Sequence, residues 1–226
     1  MNIFQKDGLK YVDEGKGEDT LFLHGWGVSP YSCQLVIDVL AGKYRVVAPF
    51  FKSFKDFTED EEKINNLFNK NKIIVIGHSA GGIYAAKFCS RFPDKVKALV
   101  LVDTAGAFRD KSMSKWVINW LKMSLHILSK PNSLTLIFVK DFFQQIFSFR
   151  DLLRDTGFVI TEDIKFKPSF PVLILWGEQD DLIDIKNGYN LQKSIHGSKF
   201  KEIKGNHYWF LTNPKGFLKE IDEFIK

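Results

Sequence analysis

Ser79 lies in the run Gly77-His78-Ser79-Ala80-Gly81, directly after the aliphatic stretch Ile73 to Ile76. Small residues packed around one hydroxyl, between a strand-like run and a helix-like run, are what a sharp strand-to-helix turn requires. Such a turn strains the backbone and lifts the hydroxyl above the sheet edge, and bulky flanking side chains would collide with the neighbouring elements. The helix start then turns its free N–H groups toward any negative charge that develops there. The chemistry on offer is nucleophilic attack by a hydroxyl, which needs a base to become effective.

Five histidines can supply that base: His24, His78, His126, His196 and His207. His207, in Gly205-Asn206-His207, falls between the last strand-like run and the last helix-like run, at the carboxyl edge of a sheet, where a base can reach Ser79. His24 and His78 belong to the strand-edge motifs and serve to hold loops. His126 falls on a helical stretch and His196 in a polar loop. A base also needs an acid to fix its tautomer. Asp180, three residues past Gly177 in LILWGEQDDLID, is the first choice, with Asp181 its nearest rival and Asp103, at the end of LVLVD, a second. Two N–H donors must meet the developing oxyanion. Ala80 supplies one, and Trp26, in the His24-Gly25-Trp26-Gly27 loop about fifty residues before Ser79, supplies the other.

Elements of a parallel sheet are needed to bring these residues together. Asn2 to Gln5 and Leu9 to Asp13 read as a hairpin turning at Asp7-Gly8. Thr20 to Leu23, Tyr44 to Ala48, Lys72 to Ile76, Val96 to Val102, Pro171 to Trp176 and Lys199 to Ile203 read as further strands. Helices are expected at Ser32 to Ala41, Glu59 to Asn69, Ile83 to Arg91, Ile185 to Lys193 and Pro214 to Ile225. This alternation predicts an α/β fold, with helices on both faces of a mostly parallel sheet. It stops near Ala107 and resumes after Lys167. The stretch between is helical in pattern, with one apolar face formed by Val117, Trp120, Leu121, Leu125 and Leu128, and another by Val139, Phe142, Phe143, Ile146 and Phe147. The expected organisation is a core domain of residues 1–106 and 168–226 and a helical cap of residues 107–167 that roofs a pocket. His24, Gly25, Trp116, Trp120, Phe142, Phe143 and Trp209 are the expected lining.

Composition narrows the function classes. The 226 residues carry a net charge of +5 and 22 phenylalanines. Ten Lys/Arg against six Asp/Glu between Ala107 and Pro168 put +4 of that charge in the expected cap. Mixed charge is ordinary for a surface, though the excess can attract an anionic partner. There is no basic stripe interleaved with aromatics, which argues against nucleic acid. No apolar run reaches membrane-spanning length, and the first ten residues lack the apolar core of a signal peptide. Cys33 and Cys89 lack metal or disulfide spacing. The expectation is a cytoplasmic protein without metal or cofactor.

FLHGWG, VIGHSAGG, LILWGEQDD and GNHYWFLTNP, in this order, resemble the α/β-hydrolase superfamily. They are most similar to its small capped esterase-like branch of carboxylesterases, lactonases, pimeloyl-acyl-carrier-protein methyl esterases and carbon–carbon bond hydrolases. The resemblance implies an eight-stranded sheet, no metal, and a catalytic triad of Ser79, Asp180 and His207 working through an acyl-enzyme. A serine at the turn argues against haloalkane dehalogenases. One departure stands out. The branch usually follows the Tyr44 to Ala48 strand with a loop of the form Asp-x-x-Gly-x-Gly-x-Ser, whereas here the chain reads APFFKSFKDF, with Phe50 at the aspartate position.

The expected activity is hydrolysis of a small-molecule carboxylic ester with an apolar acyl or alcohol part. The alternatives are an ester or thioester borne by an acyl carrier protein, and a lactone. From other classes come a ligand-binding protein on a hydrolase scaffold and an interfacial lipase, which would need an exposed apolar lid.

Overall fold

The computed structural model describes residues 1–51, 54–68, 71–107, 111–129, 139, 141 and 149–226, with the side chains of 54–56, 124, 126–129 and 149–153 outside the description. Eight strands form one sheet: β1 Ile3–Lys6, β2 Leu9–Glu14, β3 Glu18–Leu23, β4 Tyr44–Pro49, β5 Ile73–His78, β6 Val96–Val102, β7 Val172–Gly177 and β8 Lys199–Ile203, in the order β1-β2-β4-β3-β5-β6-β7-β8. β1 and β2 pair antiparallel, as do β2 and β4, and every other pairing is parallel. The expected hairpin, with Asp7 and Gly8 both at positive φ, is therefore the antiparallel margin of a parallel sheet.

The helices whose bounds fall within the described residues are α1 Gln34–Ala41, α2 Phe54–Asn65, α3 Ala80–Arg91, α4 Met113–Ser129, α5 Phe149–Thr161, α6 Ile185–Ser194, α7 Trp209–Thr212 and α8 Pro214–Ile225. One sheet face packs Leu21, Val75, Leu99 and Ile174 against Ile64 of α2, Tyr84 and Phe88 of α3, and Leu191 of α6. The other packs Phe22, Ile74, Val100 and Leu175 against Val36 and Leu40 of α1 and Phe217 and Ile221 of α8. The alternation of buried side chains between two apolar layers follows from the period of two along each strand. At about 25 cal/mol per Å² of apolar surface removed from water, these two layers supply the main driving force for the sheet on which the site is built.

Three expectations need correction. The helix expected at Glu59 to Asn69 spans Phe54–Asn65, and its early start seats Phe57 fully in the core. The α4 face is also different. Val117, Leu121 and Leu125 are 40%, 49% and 67% exposed, whereas Trp116 and Met123 are 8% and 5% exposed. Positions 116, 120 and 123 share a helix face at i, i+4, i+7 spacing, and this is the face that meets the core, because Trp116 finds Trp26 edge-on at 5.4 Å. Finally, the four-residue helix α7 breaks the loop before α8. Of the second face expected in the cap, Phe142, Phe143, Ile146 and Phe147 lie outside the described residues, as does the side chain of Leu128 on the first.

The unusual APFF segment is built into the aromatic packing. Phe51 stacks on the His24 imidazole at 4.1 Å and meets Tyr84 edge-on at 4.9 Å. Phe50 packs edge-on against Tyr31 and lies under the Lys10 ammonium, 4.4 Å from its ring centre. Among the described residues no helix is long and apolar enough to cross a membrane.

Candidate active site

β5 ends at His78 and α3 begins at Ala80, so Ser79 alone makes the turn. Its φ of 53° and ψ of −124° lie where few residues with a side chain settle, at a cost on the order of 1–3 kcal/mol. The main chain holds it there. The Ser79 N–H donates to the Val102 carbonyl at 3.0 Å. The Ser79 carbonyl accepts from the N–H groups of Gly82 and Ala105, both at 3.0 Å, and from the Thr104 hydroxyl at 2.9 Å. Each such bond contributes about 1 kcal/mol net, enough together to offset the strain.

His207 and Asp180 meet as the sequence order predicts. The imidazole Nδ1 is 2.7 Å from Asp180 Oδ2, and both side chains are buried. The other Asp180 oxygen accepts from the N–H groups of Leu182 at 2.9 Å and Ile183 at 2.7 Å. With an ionised carboxylate on Nδ1, the network assigns the proton to that nitrogen and leaves Nε2 as the basic one. Nε2 is buried and has no hydrogen-bond partner among the described residues. His78 supports this loop from beneath by donating from its Nε2 to the His207 carbonyl at 3.1 Å. Burial first, then the neighbouring His207, drives the His78 pKa well below the ordinary value, which keeps it neutral and suited to that contact.

The HGWG loop runs against Ser79. A Cβ added to Gly25 would stand 3.1 Å from Ser79 Cβ and 3.3 Å from His78 Nδ1, so any larger residue would press the loop and Ser79 apart by a few tenths of an ångström. The His24 Nδ1–H donates to the Gly25 carbonyl at 2.9 Å. In a trans peptide the carbonyl and the following N–H point in opposite directions, so holding the Gly25 carbonyl from one side aims the Trp26 N–H to the other. Ala80 is the first residue of α3, where an N–H has no acceptor within its own helix.

Gly25, Trp26, Ser79, Trp116 and Trp120 line one cavity of about 20 Å³, room for roughly one water. His78 also borders it, and Met123, Val159, Leu182, Ile183 and Tyr208 complete its wall. They escaped the sequence reading because they come from four separate segments, with no shared motif to flag them. Two residues expected at the pocket are elsewhere. His24 faces Phe51, and Trp209 is packed with Phe210 and Phe217 on the opposite sheet face. Trp209 begins α7, and its helical position turns it away from the cavity that its neighbour Tyr208 faces. Phe142 and Phe143 lie outside the described residues.

Asp141 is a further residue that the sequence did not flag. Its buried carboxylate accepts from the Ser29 N–H at 2.7 Å, the Ser29 hydroxyl at 2.8 Å and the Ser32 hydroxyl at 2.6 Å. Charge-assisted bonds of this kind are the strong ones, and they fasten the β6–β7 connection to the loop that follows HGWG.

His24 yields a pH prediction. Burial, opposed by the Gly25 carbonyl and by Asp141, lowers its pKa from 6.5 to about 4. The unfolded chain then binds a proton that the folded chain refuses, so its stability contribution is present above 6.5 and is lost as pH falls toward 4. One proton at about 1.4 kcal/mol per pH unit across that window amounts to about 3 kcal/mol. Urea unfolding of wild type and His24→Gln is expected to show the difference in stability shifting against wild type by about this amount between pH 6.5 and 4. A pH-independent difference would show that His24 is charged in the fold.

The sheet order, the Ser79 turn after β5 and the His207 loop after β8 define the α/β-hydrolase fold. A family model described as the alpha/beta hydrolase fold matches residues 51–145, the segment that holds the VIGHSAGG motif. Among curated proteins, the pimeloyl-[acyl-carrier protein] methyl ester esterase of Vibrio campbellii is 24% identical over 250 residues, covering 96% of this chain and 98% of that protein. Among solved structures, a hydrolase from Pseudomonas aeruginosa PA01 superposes with a TM-score of 0.79 at 14% identity, covering 99% of this chain and 97% of the other. An esterase from Rhodococcus sp. ECU1013 superposes with a TM-score of 0.72 at 18% identity, with the same coverages.

Proposed function

We propose that this protein is a serine hydrolase of carboxylic esters, with Ser79 as nucleophile, His207 as base and Asp180 as its acid. The observation that carries the reading is the buried 2.7 Å contact of Asp180 with His207 Nδ1, which leaves Nε2 basic in the same structure that strains Ser79 out of its strand. Nε2 takes the Ser79 hydroxyl proton as Oγ bonds to the ester carbonyl carbon. The carbonyl oxygen, now anionic, is held by the N–H groups of Ala80 and Trp26, a contribution worth a few kcal/mol of barrier per donor. The tetrahedral intermediate collapses, His207 protonates the leaving alcohol, and the acyl group remains on Ser79. Water, deprotonated by His207, then releases the acid and restores the serine. Asp180 holds the tautomer throughout and stabilises the imidazolium without taking its proton.

In this reading residues 107–167 form a cap, and Trp116, Trp120 and Met123 press the apolar part of the substrate onto the Ser79 side. The two buried free thiols, Cys33 and Cys89, fit a reducing compartment such as the cytoplasm. Multiple turnover on a panel of p-nitrophenyl esters, together with labelling by a fluorophosphonate serine probe, tests the assignment. The reading predicts labelled wild type and unlabelled Ser79→Ala. Equal labelling of both, or stoichiometric binding without turnover, would refute it and favour a binding protein on a hydrolase scaffold.

The name of the Vibrio campbellii relative favours one specific alternative, an ester borne on an acyl carrier protein. The ten Lys/Arg against six Asp/Glu between Ala107 and Pro168 would complement such a partner if its surface is acidic. Reversing the exposed Lys115 and Lys122 to glutamate is then expected to raise KM for a carrier-linked methyl ester about tenfold and to leave a small p-nitrophenyl ester unaffected. An equal effect on both substrates, or none on either, counts against the carrier.

A further inference from the structure

Asp103 follows β6 and is fully buried, with a φ of 43° in the left-handed region. Its main chain is locked to β7, since the Asp103 N–H donates to the Leu175 carbonyl at 3.0 Å. Its Oδ1 accepts from the Gly177 N–H at 2.6 Å. Oδ2 is also buried and has no partner among the described residues. The same Gly177 ties in Asp180, whose N–H donates to the Gly177 carbonyl at 3.2 Å. Both residues are thus tied to Gly177, and their carboxyl groups lie within hydrogen-bonding reach of each other.

The surroundings offer the pair little positive charge. From α7 the Trp209 indole N–H points into the same space. From the loop after β8 come His207, bonded to Asp180, and the buried Tyr208 phenol, whose pKa is raised by burial and by Asp180. From the end of β5 comes His78, kept neutral by burial. Among the described residues no lysine or arginine pairs with either carboxyl. Asp180 has three donors on its two oxygens and is built to be ionised. Asp103 has the Gly177 N–H on Oδ1, the Trp209 indole N–H as a longer second contact, an Oδ2 with no close partner among the described residues, and an anion for a neighbour. Two carboxylates this close in a dry site do not both ionise.

We propose that Asp103 is a positioning residue that remains a neutral carboxylic acid in the folded protein and donates its Oδ2–H to the Asp180 carboxylate. The orphaned oxygen is then satisfied. Asp180 gains a fourth donor that fixes the plane of its carboxylate and keeps its charge directed at His207 Nδ1. Burial, and next to it the Asp180 charge, raise the Asp103 pKa well above the ordinary carboxylate value, in agreement with this assignment. The effect on catalysis rests on the serine-hydrolase reading given above. The protonation state does not.

The sign of the pH dependence follows from that state. A carboxyl with a raised folded pKa binds a proton that the unfolded chain releases above about 4, so it weakens the fold progressively as pH rises through the window from there to its folded value. Asp103→Asn keeps an acceptor for Gly177 and a donor for Asp180 and does not titrate. The experiment is urea unfolding of both proteins from pH 5 to 8. The ratio of the folding equilibrium constants, variant over wild type, is expected to rise about tenfold per pH unit. A ratio that stays level over this range means that Asp103 is ionised, and overturns the proposal. Should Asp103→Asn fail to fold, carboxyl-carbon NMR of aspartate-labelled wild type decides the same question. One aspartate carboxyl must remain protonated at pH 7, and none doing so overturns the proposal. On a p-nitrophenyl ester, Asp103→Asn is expected within about threefold of wild-type kcat/KM, whereas Asp103→Leu, which removes a bond to a charged group, loses about 10- to 100-fold, mainly in kcat. Equal rates in the two variants would remove the positioning role. If no ester is turned over, the hydrolase reading fails while the pH-dependent stability still decides the protonation state.

Discussion

Ser79→Ala is expected to lower kcat/KM for an ester substrate by about 10⁴- to 10⁶-fold and to leave the unfolding midpoint within experimental error of wild type. The size of the loss follows from the way a nucleophile and its base act as a unit, since removing the nucleophile alone forfeits nearly the whole acceleration, with a remnant from the oxyanion donors and substrate binding. The stability result is the less obvious half. A residue at φ 53° is strained whatever its side chain, but among the described residues no hydrogen bond that holds Ser79 there passes through its hydroxyl. The Val102 carbonyl takes its N–H, and Gly82, Ala105 and Thr104 supply three donors to its carbonyl. Alanine has the same Cβ and the same steric preferences, so it inherits the clamp unchanged. Steady-state rates and urea unfolding on the same preparations check both halves. Retention of more than a tenth of wild-type kcat/KM would remove Ser79 from the reaction.

Gly81→Ala is expected to destabilise the protein by about 4 kcal/mol or more, at the upper end of what single substitutions do. Gly81 lies in the first turn of α3, and a Cβ there would run into the Leu23 carbonyl oxygen and stand 2.5 Å from the His24 carbonyl. Both obstacles are backbone, at the end of β3 where the HGWG loop leaves the sheet. A flexible side chain could swing aside, but here the helix must retreat from the strand, and overpacked interiors yield at such a cost. The displacement would also separate Ala80 from Trp26, so on the proposed assignment of these two N–H groups to the oxyanion any folded fraction should have lost most of its esterase rate. Urea or thermal unfolding provides the test. A loss under 1 kcal/mol would mean that α3 and β3 are not held as closely as described.

The groups proposed to react were more legible in the sequence than the walls around them. Gly77, Ser79 and Gly81 are readable because a strained turn admits few residue types, and a turn is local. Asp180 and His207 are readable because each follows a strongly apolar strand, so sheet order alone carries them to the same edge. The walls are set by contacts that no local pattern records. α4 presents two apolar stripes, and sequence spacing cannot tell which one meets the core. Trp116 and Met123 turn inward because Trp26 awaits them, leaving Val117, Leu121 and Leu125 outside. Trp209 and Tyr208 are adjacent in sequence, yet one belongs to the α7–α8 packing and the other to the cavity, a division decided by a single short helix. Asp141 is one acid among six in its stretch, and only the folded arrangement reveals Ser29 and Ser32 as its partners.

The main-chain grip on position 79 has one more consequence. Because the strain is carried by amides and a threonine hydroxyl, the turn works as a socket indifferent to the reactive atom it displays. A thiol or a carboxylate installed at position 79 would be presented with the same aim, above the same helix start. What the fold maintains is a place and a direction, and the element that reacts is exchangeable by a change in one codon.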